Sequence, residues 1–262
     1  LDAKKALDGI LEPRKEFWMP DIPRQSRKPL IAAILPVFNE ELNVSGVLEV
    51  LHASSILDEI ILVDDGSSDK TFEILNQAAA LDQRMQIIHH DQNRGKGQAI
   101  FSGWAATCAP ILLLLDADLK DLTPDHIQAL LAPVIEHRAD MTLGLFKGGH
   151  LSTDLSHRLS PWLTGQRGLR AELLNYISHE AAAGYGFEVA LTVTASQHNF
   201  RTRVVALKGV WHPSSEFRAE RGFWGGLLWK LHMYAQILRA WVISTRNRYP
   251  EEKAYFSDII KF

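Results

Sequence analysis

From Leu30 onward, short apolar runs alternate with stretches of helical periodicity. "LIAAIL" (30–35), "EIILVD" (59–64), "MQIIHH" (85–90) and "ILLLL" (111–115) are nearly unbroken apolar segments. Such runs are typical of strands covered on both faces in a parallel sheet. Between them the spacing predicts helices at about 40–54, 70–81 and 96–107. In the second, Phe72, Leu75 and Ala79 repeat at helical intervals behind Asp69, a residue suited to an N-cap. A fourth helix over 124–137 opens on Thr123 as N-cap with Pro124 at the first helical position. "MTLGLF" (141–146) predicts a fifth strand. This alternation implies βαβ units wound into a mostly parallel sheet flanked by helices.

The pattern then loosens. Residues 147–168, rich in Gly, Ser, His and Arg, predict a loop region. Helices are expected at 169–179 and 187–198, and a strand at 203–210. Over 222–246 a long helix is expected, with Trp224, Leu227, Leu228, Leu231, Tyr234, Ala235, Leu238, Trp241 and Val242 on one stripe. Residues 1–29 carry seven basic residues and four prolines. They predict a short helix and a linker rather than a secretory leader, because no apolar core follows the charges. The expected organisation is therefore an N-terminal helix and linker (1–29), a catalytic domain (30–215) with halves at 30–121 and 122–215, and a C-terminal amphipathic helical extension (216–262).

Composition narrows the function classes. Of 262 residues, 46% are hydrophobic and 23% charged, ordinary values for a globular chain. A net charge of −3 supplies no global basic field, so no nucleic-acid partner is expected. The single cysteine, Cys108, excludes an internal disulfide and is expected to be a buried thiol; a cytoplasmic location is expected. No apolar run approaches the roughly 20 residues of a membrane span. The Trp-rich stripe at 222–246, flanked by arginines, suits peripheral contact with the inner face of a membrane, packing on the domain, or a homodimer contact.

The polar residues gather at the same end of each strand. "PVFNEE" (36–41), "DDGSSD" (64–69), "DQNRGKGQA" (91–99) and "DADLKD" (116–121) follow the first four strands in turn. In a parallel sheet these ends lie along one edge, and ligands bind in the crevice outside it. "RGKGQAI" lacks the third glycine of a dinucleotide fingerprint and the Ser or Thr of a Walker loop. Asp116 and Asp118 leave a buried strand one residue apart. Two carboxylates so placed repel one another, and a hard divalent cation with oxygen ligands, Mn²⁺ or Mg²⁺, relieves that repulsion.

Together, "PVFNEE", "VDDGSSD", "RGKGQA" and "LDADL", in this order and spacing, resemble the GT-A glycosyltransferases that use nucleotide sugars. The closer resemblance is to the dolichol-phosphate mannosyltransferase-like and glucosyl-3-phosphoglycerate synthase-like groups. The resemblance spans about residues 30–215 and implies a GT-A fold and metal-dependent transfer of a hexose, with UDP-glucose the favoured donor. It places Pro36, Phe38 and Glu40 in the nucleoside pocket, with Glu40 toward the ribose, and Asp64 and Asp65 on the base. Gly95 and Lys96 would approach base or phosphate, and Asp116 ribose or metal. Asp118 would bind the metal that bridges the diphosphate, with His212 of "VWHP" (210–213) as a third ligand. "LTGQRGLRAELL" (163–174) resembles an acceptor segment, implying Gly165, Arg167 and Arg170 as contacts to a lipid-phosphate or small phosphorylated acceptor. Glu188 of "GYGFEVALT" would face the sugar, and with Asp154 is a candidate base for a hydroxyl acceptor. Two other readings stay open at this point: a nucleotidyltransferase, and a pseudoenzyme that binds nucleotide sugar without turnover.

Overall fold

A computed structural model describes residues 30–148, 164–178, 180, 182 and 186–213. The expected N-terminal helix, the loop bearing Asp154 and the helix at 222–246 lie outside the described residues.

The expected alternation is present: β1 (Ile31–Val37), α1 (Val44–Ala53), β2 (Glu59–Asp64), α2 (Thr71–Leu81), β3 (Met85–His89), α3 (Lys96–Ala105), β4 (Ile111–Leu114), α4 (Pro124–Ile135) and β5 (Met141–Lys147). Then come β6 (Arg167–Arg170), a 3-10 helix (Ala171–Tyr176), α5 (Phe187–Gln197) and β7 (Thr202–Lys208). All seven strands form one sheet in the order β3-β2-β1-β4-β6-β5-β7. Only β6 runs against the others. The apolar runs are strands because both faces are covered. Ile31, Ala33 and Leu35 pack with α1 and α4, while Ala32 and Ile34 pack with α3 and α5. No described helix is long and apolar enough to cross a membrane.

Three local expectations are corrected. The helix expected over 169–179 is replaced by strand β6 and the 3-10 helix. Leu169, Leu173 and Leu174 have helical spacing and all are buried, but backbone pairing of β6 with β4 overrides that periodicity. Gly168 permits the insertion, since a Cβ there would sit 2.8 Å from the carbonyl oxygen of Leu130. Asp69 does not occupy the N-cap of α2. Lys70 does, and Asp69 accepts the Thr71 N–H at 3.0 Å from one position further out. Cys108 is exposed, in the turn before β4 rather than in the core.

A partly buried charged clamp sits at the amino end of β3. The Arg84 guanidinium donates to the carbonyls of His52 (2.6 Å), Ser54 (2.8 Å) and Leu57 (3.2 Å), and also to both Asp82 oxygens. It ties the end of α1 to the start of β3. The hydrogen bonds from Arg84 hold the Asp82 carboxyl far below the usual aspartate range, against its burial. Arg84→Ala is expected to lose about 2–3 kcal/mol in urea unfolding at pH 7. Because Asp82 has a depressed folded pKa, its contribution is complete above the unfolded value of about 3.9 and is lost as pH falls through the folded one. The stability gap between wild type and Asp82→Asn should therefore narrow as unfolding is repeated below about pH 4.

Candidate active site at the carboxyl edge of the sheet

The ends of β1, β2 and β3 are level, with Val37 beside Asp64 and Asp64 beside His89. β4 stops earlier, Leu114 pairing with Ile34. The edge is therefore stepped, and "DADLKD" runs out above the step.

Much of the polar content of the first two loops joins them to each other. Asn39, at φ +54°, donates its N–H to Ser67 Oγ (3.0 Å) and accepts the Ser68 N–H on Oδ1 (2.8 Å). The Glu40 N–H donates to Thr71 Oγ1 (2.8 Å), the Glu41 N–H to Asp69 Oδ2 (3.2 Å), and the Lys70 N–H returns to Glu41 Oε2 (3.0 Å). Phe38 is left 43% exposed and Pro36 half-buried beside it. The Glu40 carboxylate accepts from Asn43 Nδ2 (2.8 Å). Burial pushes this carboxyl above its ordinary range; the Asn43 bond opposes that, while the charges of Asp118, Asp116 and Asp69 add to it. Glu40 thus shares the field of the acidic pair.

Asp64 and Asp65 are almost wholly buried, and both bond to protein. Asp64 accepts from Ser67 N–H (3.2 Å) and His89 Nδ1 (2.7 Å). Asp65 accepts the N–H groups of Arg94 (2.9 Å) and Gly95 (2.8 Å), and His90 Nδ1 (2.7 Å). His90 Nε2 in turn is hydrogen-bonded with Ser102 Oγ of α3 (2.9 Å). Asp65 therefore shapes the turn that carries Gly95, at φ +91°, and Lys96 into α3. The sequence marked the two aspartates but not their histidine partners, which look like ordinary strand residues.

Lys96 is the hub of the site. Its Nζ lies 2.5 Å from Asp116 Oδ1 and 2.6 Å from Glu188 Oε1, the latter in the first turn of α5. Burial alone would lower the Lys96 pKa, but Asp116 and Glu188 outweigh it and hold the ammonium well above the ordinary lysine range. Burial would likewise raise Asp116, yet Lys96 and Gln166 keep its carboxyl below the usual range. Gln166 Nε2 donates to the other Asp116 oxygen at 2.7 Å. Gly165 lets these groups close in: a Cβ would stand 2.5 Å from both Asp116 oxygens and 2.6 Å from Lys96 Nζ, so a side chain there would displace the Asp116–Lys96 pair.

Asp118 differs from its neighbour. Burial, then the Asp116 charge, raise its pKa; His212 and Lys96 oppose. His212 is delivered by a short antiparallel bridge in which the Lys120 N–H donates to the Trp211 carbonyl (2.8 Å). Trp211 Nε1 also bonds Asp121 Oδ2 (2.8 Å), and the His212 ring meets Phe146 edge-on at 5.7 Å. Among the described residues, no three histidine, cysteine or acidic side chains are gathered closely enough to hold a metal by themselves. The donor set of Asp116, Asp118 and His212 is nonetheless oxygen and imidazole, and the crowding of Asp116 and Asp118 is what a divalent cation would relieve.

The two arginines read as acceptor contacts are corrected. Arg167 is 1% exposed. Its guanidinium donates inward to the Thr164 carbonyl (2.9 Å), Thr192 Oγ1 (3.0 Å) and the Glu188 carbonyl (3.1 Å). Burial pulls its pKa down to about 10, against the pull of Glu188 and Asp116. Arg170 pairs with Ile111, at the opposite end of β4, and its side chain lies against Asp140 (3.6 Å) and Glu172 (3.1 Å). Neither guanidinium faces the crevice. The residue between Gly165 and Arg167 does bond a crevice residue, Asp116, from behind, and no periodicity or motif in the sequence distinguished Gln166.

Comparison with known proteins places the chain in a family and a fold. The family model described as glycosyl transferase family 2 matches residues 32–193. Glucosyl-3-phosphoglycerate synthase of Mycobacterium tuberculosis is 28% identical over 196 residues, covering 62% of this chain and 60% of that protein. An undecaprenyl-phosphate 4-deoxy-4-formamido-L-arabinose transferase of Photorhabdus laumondii is 39% identical over 105 residues, covering 38% of this chain and 32% of that protein. The chain thus spans less than two thirds of either curated relative. The crystal structure of the M. tuberculosis synthase with Mn²⁺, UDP-glucose and phosphoglyceric acid superposes with a TM-score of 0.66 at 21% identity, over 84% of this chain and 81% of that one. The expected GT-A fold is therefore present.

Proposed function

The chain belongs to glycosyl transferase family 2, and on that premise we propose that it transfers a hexose from a nucleoside diphosphate sugar, UDP-glucose favoured, to a phosphorylated acceptor. The observation that carries the reading is the acidic pair at the end of β4. Asp116 is bonded by Lys96 and Gln166, while burial and the Asp116 charge raise the pKa of Asp118 beside it, only partly offset by His212 and Lys96. Asp118 and His212, with Asp116, would hold Mn²⁺ or Mg²⁺, and the remaining ligands would come from the donor. The cation supplies charge neutralisation for the departing nucleoside diphosphate.

The protein's own residues divide the rest of the work. Phe38 offers an exposed aromatic face to the nucleoside, Glu40 lies toward the ribose, and Asp64 and Asp65 hold the loops on either side. Lys96 Nζ can move between Asp116, Glu188 and a phosphate oxygen within a short radius. Glu188 presents Oε1 where the sugar would lie, and Gly165 lets Lys96 and Asp116 pack against the backbone beside it. The solved relative binds phosphoglyceric acid, and the named curated relative acts on a polyprenyl phosphate. Both point to an acceptor bearing phosphate, small or lipid-linked.

The test is thermal unfolding with UDP, GDP, UDP-glucose or GDP-mannose, each with and without Mn²⁺. A ligand that binds only the folded state stabilises it by about 2.7 kcal/mol at a hundredfold excess over Kd. The expected result is a rise in Tm with UDP and UDP-glucose that requires Mn²⁺. A Mn²⁺-dependent rise with the guanosine pair would change the donor, and no rise with any nucleotide would overturn the reading.

A further inference from the structure

We propose that Gln166 is a positioning residue for the donor site: its amide locks the Asp116 carboxylate in the orientation that metal and donor binding need. The inference rests on the donor-site reading above and deepens it. Gln166 is 1% exposed, so it touches no substrate. Both ends of its amide are engaged. Nε2 donates to Asp116 Oδ2 at 2.7 Å, and Oε1 lies 2.7 Å from Thr164 Oγ1, which is itself 2.6 Å from the Gly144 carbonyl. The Gln166 carbonyl accepts the Gly144 N–H at 2.8 Å, fixing the backbone to β5.

The chemistry selects this side-chain type. An amide can donate to a carboxylate and accept from a hydroxyl at the same time. A carboxylate in its place would repel Asp116, and an apolar side chain would leave Asp116 Oδ2 without its donor. Lys96 holds only Oδ1 and also pairs with Glu188. Without Gln166, Asp116 would be free to swing with the flexible lysine. The antiparallel insertion of β6 beside β4 makes the contact: Arg167 pairs with Leu114, so the residue before it arrives over the residues that leave β4. Partners of this kind, behind a metal ligand, typically carry 10–100-fold in metal affinity or activity.

The test compares Gln166→Met with Thr142→Val. Thr142 is an equally buried polar residue that braces β6 one step further along, bonding Gly168 and the Leu130 carbonyl without touching Asp116. Mn²⁺ affinity in the presence of UDP is read from the free-Mn²⁺ electron paramagnetic resonance signal, alongside Tm and the kcat and KM for UDP-glucose hydrolysis. Both substitutions should lower Tm. Gln166→Met should in addition weaken Mn²⁺ binding at least tenfold and lower kcat, while Thr142→Val leaves both unchanged. Partial recovery is expected in Gln166→Asn, which keeps the amide. Equal Mn²⁺ affinity in Gln166→Met and wild type, with only Tm reduced, would overturn the proposal and leave the donor-site reading standing. Absence of Mn²⁺ binding by the wild-type protein would overturn both.

Discussion

Asp118→Ala is expected to lower turnover by about 10³-fold, equivalent to about 4 kcal/mol of transition-state stabilisation, while the protein stays folded. Asp118 is half-buried beside a second carboxylate, and both effects raise its pKa. A group in that position weakens the unliganded fold, so its removal should leave Tm unchanged or higher. What is lost is the charge that the cation would balance. The variant should therefore also lose the Mn²⁺-dependent rise in Tm with UDP. Asp116→Ala should behave differently: it strips Lys96 and Gln166 of a shared partner, so Tm falls as well as activity. Steady-state kinetics and thermal unfolding on the two variants separate these outcomes. Metal-dependent turnover retained in Asp118→Ala would remove Asp118 from the metal site.

The second large effect is on stability. Arg167→Ala is expected to cost about 3–5 kcal/mol, because it empties a buried volume and strands several acceptors that the guanidinium now satisfies. Those acceptors are the carbonyls of Thr164 and Glu188 and the Thr192 hydroxyl. Arg167→Lys keeps a charge but not the fork of donors, so it should recover only part of the loss. Denaturant unfolding measures the cost, and acceptor KM on the folded fraction should not change. The opposite pattern, a raised acceptor KM with unchanged stability, would restore Arg167 as a phosphate clamp.

This pair of residues differs in how local the signal for each is. Asp118 could be chosen from residue order because a buried strand followed by two acids is a local pattern with a local cost. Arg167 was misread because a basic residue in a Gly-rich stretch ordinarily faces solvent. Nothing in residues 163–174 reveals that this segment inserts between β4 and β5 and turns its arginine inward. Leu169, Leu173 and Leu174 misled in the same way: their spacing fits a helix, and the pairing that makes β6 comes from a strand more than fifty residues earlier.

Residue order alone carried the strand–helix alternation, the shared edge for four polar loops, and the acidic pair with its demand for positive charge. These follow from periodicity and from the direction of parallel strands, both of which act over a few residues. The folded chain was needed to show that Asp65 holds a turn through His90, that Lys96 joins Asp116 to Glu188, and that Gln166 rather than its arginine neighbours reaches the site. Each of these contacts spans 20 or more residues of sequence. Such contacts depend on strand order and register, and those are set by the packing of the whole sheet rather than by any one segment.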